Sequence, residues 1–430
     1  MISSEAVTAS DIHSEIDAVW RIESAKLIAG LARIVRDVGV AEELAQDALV
    51  AALEQWPLRG VPDNPAAWLM TTAKRRGIDR LRHGKLAESR HEEIGREIES
   101  IHDDAAAAFE AAVDDDIGDD LLRLVFTACH PVLSTEARTA LTLRLLGGLT
   151  TDEIARAFLV PEPTIAQRIV RAKRTLTEAN VPFEVPHGED RALRLASVLE
   201  VIYLIFNEGY SATAGDDWMR PQLCEDALRL GRILAELESE EPEVHGLVAL
   251  MEIQASRTRA RSGPSGEPIL LLDQDRSRWD RWLIRRGLAA LDRAQRLGGT
   301  QGVYALQAAI AACHARAQSA DDTDWSRIAA LYFALAELTP SPVVELNRAV
   351  AVAMASGPEA GLELVDAIAS SRALQNYHLL PSVRGDLLTK LGRFDEAREE
   401  FERAASLTRN SREQALLLER AASCAQDAEA

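Results

Sequence analysis

The stretch LTTDEIARAFLVPEPTIAQRIVRAKRTL, Leu149–Leu176, gathers side chains that suit one kind of chemistry, the grip on a nucleic acid. Its second half carries Arg168, Arg171, Lys173 and Arg174 on or beside one surface, while Ile165, Ile169 and Ala172 point the other way. Cations at helical spacing hold phosphates, and short polar side chains near a helix N-terminus reach base edges. Thr164 and Gln167 are therefore the base-edge candidates, with Arg168, Arg171 and Arg174 holding the backbone. A plain helical hairpin with a solvated basic face fits the same residues.

A second group lies at NPAAWLMTTAKRRGIDRLRH, from Asn64 to His83. Ala66, Leu69, Met70, Ala73, Gly77 and Leu81 form an apolar stripe, and Arg75, Asp79 and Arg82 lie roughly opposite. Lys74, Arg75 and Arg76 beside Trp68 offer phosphate contact together with an aromatic face, the pairing that single-stranded DNA needs. Trp68 serves equally well as a core anchor. Just upstream, GVAEELAQDALVAALEQW turns Leu44, Ala48, Leu49, Ala52 and Leu53 inward and Glu42, Glu43, Gln46 and Asp47 outward. Such an acidic face either meets water or docks on a basic partner. A third polar cluster, Asn207, Glu208 and Tyr210, sits where an apolar helix ends, and Gly209 is suited to the unusual dihedral that stops it. Capping the helix and binding a ligand, a peptide or another part of the chain both fit these residues.

These groups are all placed on helices. Ala, Leu, Arg and Glu dominate, Gly and Pro fall between periodic segments, and 47% apolar residues suffice for burial, so the fold class is all-α. At 430 residues, two or three domains are expected. The boundaries read as 10–90 for a first helical domain, 91–119 for an acidic linker, 120–180 for the helix-turn-helix domain, 181–189 for a proline-bearing linker and 190–430 for a helical array. In that array GDLLTKLGRFDEAREEFERA places Gly385, Leu388, Ala397, Phe401 and Ala404 as in a tetratricopeptide repeat, and Ala329, Phe333 and Ala336 have comparable spacing. A generic helical bundle is the other reading.

The net charge of −20 argues against nucleic acid only if it is evenly spread. It is not: residues 91–120 hold 12 acids and one base, whereas residues 64–90 hold seven bases and two acids. Local patches set phosphate affinity. The cysteines, Cys129, Cys224, Cys313 and Cys424, are dispersed and read as reduced structural thiols. No basic-then-apolar leader and no bilayer-length apolar run is found, so a cytoplasmic protein with no membrane partner is expected. No metal-spaced His set, nucleophile motif or phosphate-cradling glycine loop is found, so no catalysis, cofactor or metal is expected.

Taken together and in order, AEELAQDAL, NPAAWLMTTAKRRGIDRLR and the helix-turn-helix resemble the extracytoplasmic-function (ECF) sigma factors of bacterial RNA polymerase. The resemblance covers about residues 10–180. It implies that Glu42, Glu43, Gln46 and Asp47 bind core RNA polymerase. It implies likewise that Asn64, Trp68, Lys74, Arg75, Arg76 and Arg82 capture the −10 promoter element. Thr164, Gln167, Arg168, Arg171 and Arg174 would then read the −35 element in promoter DNA. Leu159 departs from the family, whose turn commonly has Gly; a Leu there is expected to avoid positive φ and to alter the turn. The remainder, with YLIFNEGYSAT, resembles the subgroup bearing a tetratricopeptide-like extension, which implies modulation of the sigma half and a protein or peptide regulator. A one-component DNA-binding regulator with a sensing repeat domain is the alternative.

Overall fold

The protein is described by a computed structural model covering residues 9–88, 117–212, 217–264 and 266–429. Among these residues the chain is helical and contains no strand, only one isolated bridge between Ser262 and Pro268. It divides into two compact units, one up to Val201 and one from Ile202 onward. Most of the expected acidic linker lies outside the described residues.

In the first unit, α1 (Ala9–Val35), α2 (Val38–Arg59) and α3 (Pro65–Glu88) pack on one another. Asp37 starts α2 by accepting a hydrogen bond from the Val40 N–H at 2.9 Å, and Gly60, at φ 84°, ends it. Asn64 starts α3 in the same way, accepting from the Ala67 N–H at 3.1 Å. The apolar stripe of α3 behaves as the pattern dictates, with Leu69 and Ala73 buried. Helices α4 (Ile117–Ala128), α5 (Thr135–Leu145), α6 (Thr151–Phe158) and α7 (Glu162–Glu178) follow, and α4 packs on α1. Arg33 of α1 reaches the buried carboxylate of Asp120 on α4 at 3.3 Å. Phe126, Trp56, Ile28, Leu44 and Leu141 are among the fully buried side chains of this core.

Helix α8 (Gly188–Tyr210) begins at the end of the proline-bearing segment, and the first unit extends along it to Val201. The reason is polar. Arg194 donates to the Phe126 carbonyl at 3.2 Å, Ser197 donates to the Cys129 carbonyl at 2.6 Å, and Arg138 bonds both Ser197 and Glu200. Buried carbonyls at the end of α4 thereby find donors, which a helix terminus requires.

The second unit is a succession of helices: α9 (Pro221–Leu237), α10 (Pro242–Ala255), α11 (Arg281–Arg296), α12 (Val303–Arg316), α13 (Trp325–Leu338), α14 (Pro342–Ser356), α15 (Pro358–Ile368), α16 (Leu379–Lys390), α17 (Phe394–Leu407) and α18 (Ser411–Glu429). From α9 on, each packs against the next, and α10 also packs against α12. Among the described residues of this unit, apolar clusters follow one another along the chain, as in a repeat stack. Gly385 has the role its repeat pattern predicts: a Cβ there would stand 2.9 Å from the Phe401 ring, so only glycine lets α16 and α17 approach this closely.

Two expectations are corrected. Phe333 is 58% exposed, while Ile328 and Leu335 are buried, so α13 presents a different face from the one the repeat spacing predicts. Gly209 does not supply an unusual dihedral. It lets the segment that opens α9 approach, since a Cβ would lie 2.7 Å from the Cys224 nitrogen and 2.9 Å from the Arg220 carbonyl oxygen. The four cysteines are buried and free. Burial pushes Cys129 up to about 11 and Cys224 up to about 12, so neither is a ready thiolate.

Candidate nucleic-acid interface

Helices α6 and α7 form the helix-turn-helix, and local contacts set both the start of α6 and the turn that follows it. Thr150 and Glu153 make a reciprocal capping box: the Glu153 N–H donates to Thr150 Oγ1 at 3.1 Å and the Thr150 N–H to Glu153 Oε2 at 2.8 Å. Leu159 then takes the left-handed conformation, φ 51° and ψ 43°, and the Val160 N–H closes the turn on the Ala155 carbonyl at 3.1 Å. The expectation that Leu159 avoids positive φ is thus corrected. The turn keeps the glycine-type geometry at a strain of about 1–2 kcal/mol. Pro163 lies in the first turn of α7, where its missing N–H costs nothing.

Along α7, Ile165, Ile169, Ala172 and Leu176 are buried. Thr164, Gln167, Arg171 and Arg174 are exposed in one row, Arg174 paired with Glu178 at 2.6 Å. Arg168 is half-buried on the flank, close enough to Glu136 to help hold that carboxyl below its ordinary range, after hydrogen bonds at the start of α5. Sequence reasoning missed Val170. It is 63% exposed in the middle of the row, and an apolar side chain with nothing to cover it there was the available signal.

Lys173 departs from the expected basic surface. It turns inward and pairs with Glu42 of α2, whose other carboxylate oxygen accepts from Arg144 Nε at 2.6 Å. Gln46 also donates to Glu42. Glu42 is only 2% exposed, which corrects its expected outward position. Its neighbours divide: Glu43 and Asp47 are exposed, and Gln46 is half-buried. The contact between α2 and α7 extends through Thr177, which donates to Asp37 at 3.0 Å, and Arg21 of α1 pairs with Glu153 of α6 at 2.6 Å. Arg144 is the other residue missed, although a single cation inside ALTLRLLGG was a visible anomaly.

On α3, Arg75 is exposed and Lys74 is half-buried. Arg76 donates to the Asp47 carbonyl at 2.7 Å and lies 3.7 Å from its carboxylate, tying α3 to α2. Asn64 is occupied as the helix cap. Trp68 is half-buried, its ring edge-on to buried Trp56 at 5.4 Å, so it is both anchored and partly available. The side chain of Arg82 lies outside the described residues.

In the second unit the expected polar cluster is split. Glu208 pairs with Arg220, whereas Asn207 and Tyr210 line a cavity. Among the described residues no group of three His, Cys, Asp or Glu could hold a metal ion, and no helix is long and apolar enough to cross a membrane.

Comparison with known proteins matches Sigma-70 region 2 to residues 23–86 and Sigma-70 region 4 to residues 123–176. A family of unknown function (DUF6596) matches residues 194–295. The uncharacterized protein R00370 of Rhizobium meliloti is 44% identical over 90% of both chains. The probable ECF RNA polymerase sigma factor SigI of Mycobacterium tuberculosis is 28% identical over 43% of this chain and 62% of its own length. The ECF RNA polymerase sigma factor SigK of Mycobacterium ulcerans is 31% identical over 34% of this chain and 75% of its own. With both sigma regions present in order on α1–α3 and α4–α7, the chain belongs to the ECF RNA polymerase sigma factors.

Proposed function

We propose that this sigma factor directs core RNA polymerase to promoters by reading the −35 element with α7 and capturing the −10 element with α3. The observation that carries the reading is the outward row Thr164, Gln167, Val170, Arg171 and Arg174 on a firmly capped helix-turn-helix. Gln167 suits a bidentate contact to adenine, Val170 a thymine methyl, and Arg171 and Arg174 the phosphates. On α3, Lys74 and Arg75 hold the backbone of an opened strand, and the free part of the Trp68 ring stacks on an unpaired base. Arg82 extends the same basic helix. Glu43 and Asp47, with Gln46 beside them, form the acidic face that docks on core polymerase, and Glu42 joins it only after leaving Arg144 and Lys173.

That release is required by reach. Elements centred at −35 and −10 lie about 85 Å apart at about 3.4 Å per base pair. Helix α3 is only about 36 Å long, and α7 is ion-paired to the helix beside it. The contact between α2 and α7 therefore describes the factor before it holds both elements. The C-terminal unit modulates this transition.

The test is association with core polymerase and promoter selection by the full chain. Glu43→Lys with Asp47→Lys should abolish capture of core subunits while helicity is retained, because reversed charge on an exposed face repels a basic partner. Gln167→Ala should change the preferred base at one or two upstream positions, by about 1–3 kcal/mol. A folded double variant that still captures core enzyme, or an unchanged selected motif with Gln167→Ala, refutes the corresponding assignment.

A further inference from the structure

The second unit contains a cavity of about 470 Å³ walled by α8, α10, α12, α13 and α14. That size is typical of sites for small organic ligands. Its walls are largely apolar, but four carboxamides, Asn207, Gln254, Gln307 and Asn347, open onto it. Among the described residues no Asp or Glu lines it, in a chain with 68 acids against 48 bases. Among the described residues the one guanidinium in the lining is Arg257.

The electrostatics around Arg257 are unusual. It donates to Tyr210 Oη and to Gln254 Oε1, and it lies over the Tyr210 and Trp279 rings at 5.6 and 5.7 Å. Two more guanidiniums stand close by. Arg261 lies 3.5 Å from the centre of the Tyr210 ring and donates to the Tyr210 carbonyl. Arg276, buried, donates to the carbonyls of His314 and Ala317 and to Thr323. Among the described residues none of the three makes an ion pair with a carboxylate. Their field is expressed on neighbours: burial, then Arg257 and Arg276, pushes His314 down to about 4, and burial, with Arg257 adding to it and Tyr210 opposing it, pushes Arg261 down to about 10. Arg261 and Arg276 are buried and Arg257, which faces the cavity, is half-buried; cations so withdrawn from water ordinarily have a counter-ion. Moreover, His314 is 8% exposed, lines the cavity, and its Nδ1 has no hydrogen-bond partner. Buried polar atoms are nearly always satisfied, so this one in a cavity wall is placed to bond a polar atom of whatever occupies the cavity.

We propose that this cavity binds a carboxylate attached to an apolar body, its charge held by Arg257 and its polar atoms by the carboxamides and His314. A single guanidinium in the lining matches a single negative charge and offers the fork geometry that carboxylates take. A small free acid and the C-terminus of a peptide share this chemistry. The inference rests on the second unit alone and not on the reading of promoter contacts, so either can fail without the other.

The experiment is ligand-observed NMR and calorimetric titration of the full chain at millimolar probe. Two pairs of probes are used: 3-phenylpropionate with its neutral amide, and the tripeptide Ala-Ala-Phe with its C-terminal amide. Saturable binding of an acid, weakened about tenfold or more in the matching amide and in Arg257→Met, is the expected result. Binding of 3-phenylpropionate alone identifies a small acid, and preference for the tripeptide identifies a peptide terminus. Equal binding of acids and amides, binding of neither acid, or an acid affinity unchanged in Arg257→Met overturns the proposal. If Arg257→Met does not fold, the acid–amide comparison on the unaltered chain decides, with Asn347→Leu as the second variant.

Discussion

Replacing Glu42 by Gln keeps the shape of the side chain and removes one charge, which isolates the bond between the two sigma modules. Glu42 is 2% exposed and carries two cations, Arg144 on α5 and Lys173 on α7, and so ties α2 to both helices through ion pairs. Removing one partner of a fully buried pair costs about 3–5 kcal/mol. The Arg144 and Lys173 side chains retain 19% and 21% of their exposure, so water can recover part of the loss. A destabilisation of about 2 kcal/mol remains after that discount. It corresponds to about a thirtyfold shift toward the parted state. Amide hydrogen exchange on the full chain measures it at α2 and α7, and urea denaturation gives the total. Protection should fall at α7 and at the start of α2 and stay unchanged in α16–α18. If Glu42→Gln exchanges like the unaltered chain at α7, the buried carboxylate does not hold the modules together. The requirement for its release on the promoter then fails too.

Three further outcomes follow from named contacts. Leu159→Gly relieves about 1–2 kcal/mol of left-handed strain against about 0.5–1 kcal/mol of added chain entropy, so urea denaturation should show a gain of about 0.5–1 kcal/mol. Gly385→Ala drives a methyl to within 2.9 Å of Phe401 and should cost about 1–3 kcal/mol, read as an earlier loss of helicity on heating. His314 is held near 4 when folded against about 6.5 when unfolded, so the unfolded chain takes up the proton first as pH falls. Its contribution is complete above pH 6.5 and falls by up to about 3 kcal/mol toward pH 4, a slope that urea midpoints at several pH values should show flattened in His314→Gln.

Local chemistry made much of this protein legible in its sequence. The helix-turn-helix could be read because its signals are short-range: acids at the start of α6, proline at the start of α7 and inward apolar residues every three or four positions. The close pairing of α16 and α17 was equally readable, since Gly385 and Phe401 belong to one local pattern. Other features depend on partners far along the chain. Whether the acidic face of α2 meets water was decided by Arg144 and Lys173, more than a hundred residues away, and periodicity on α2 alone cannot report what covers it. Leu159 takes a left-handed turn because hydrogen bonds at the end of α6 and packing on both sides outweigh a local preference of about 1–2 kcal/mol. The role of Gly209 was set by the backbone arriving at Arg220–Cys224, not by its own dihedral. The cavity is the extreme case. Asn207 and Tyr210 were visible as a polar helix end, but Gln254, Gln307 and Asn347 converge on it from three other helices and Arg257 from the turn after α10. Sequence determines which faces each helix offers, whereas the packing of many helices determines which of those faces meet, because burial and charge pairing are summed over the whole fold.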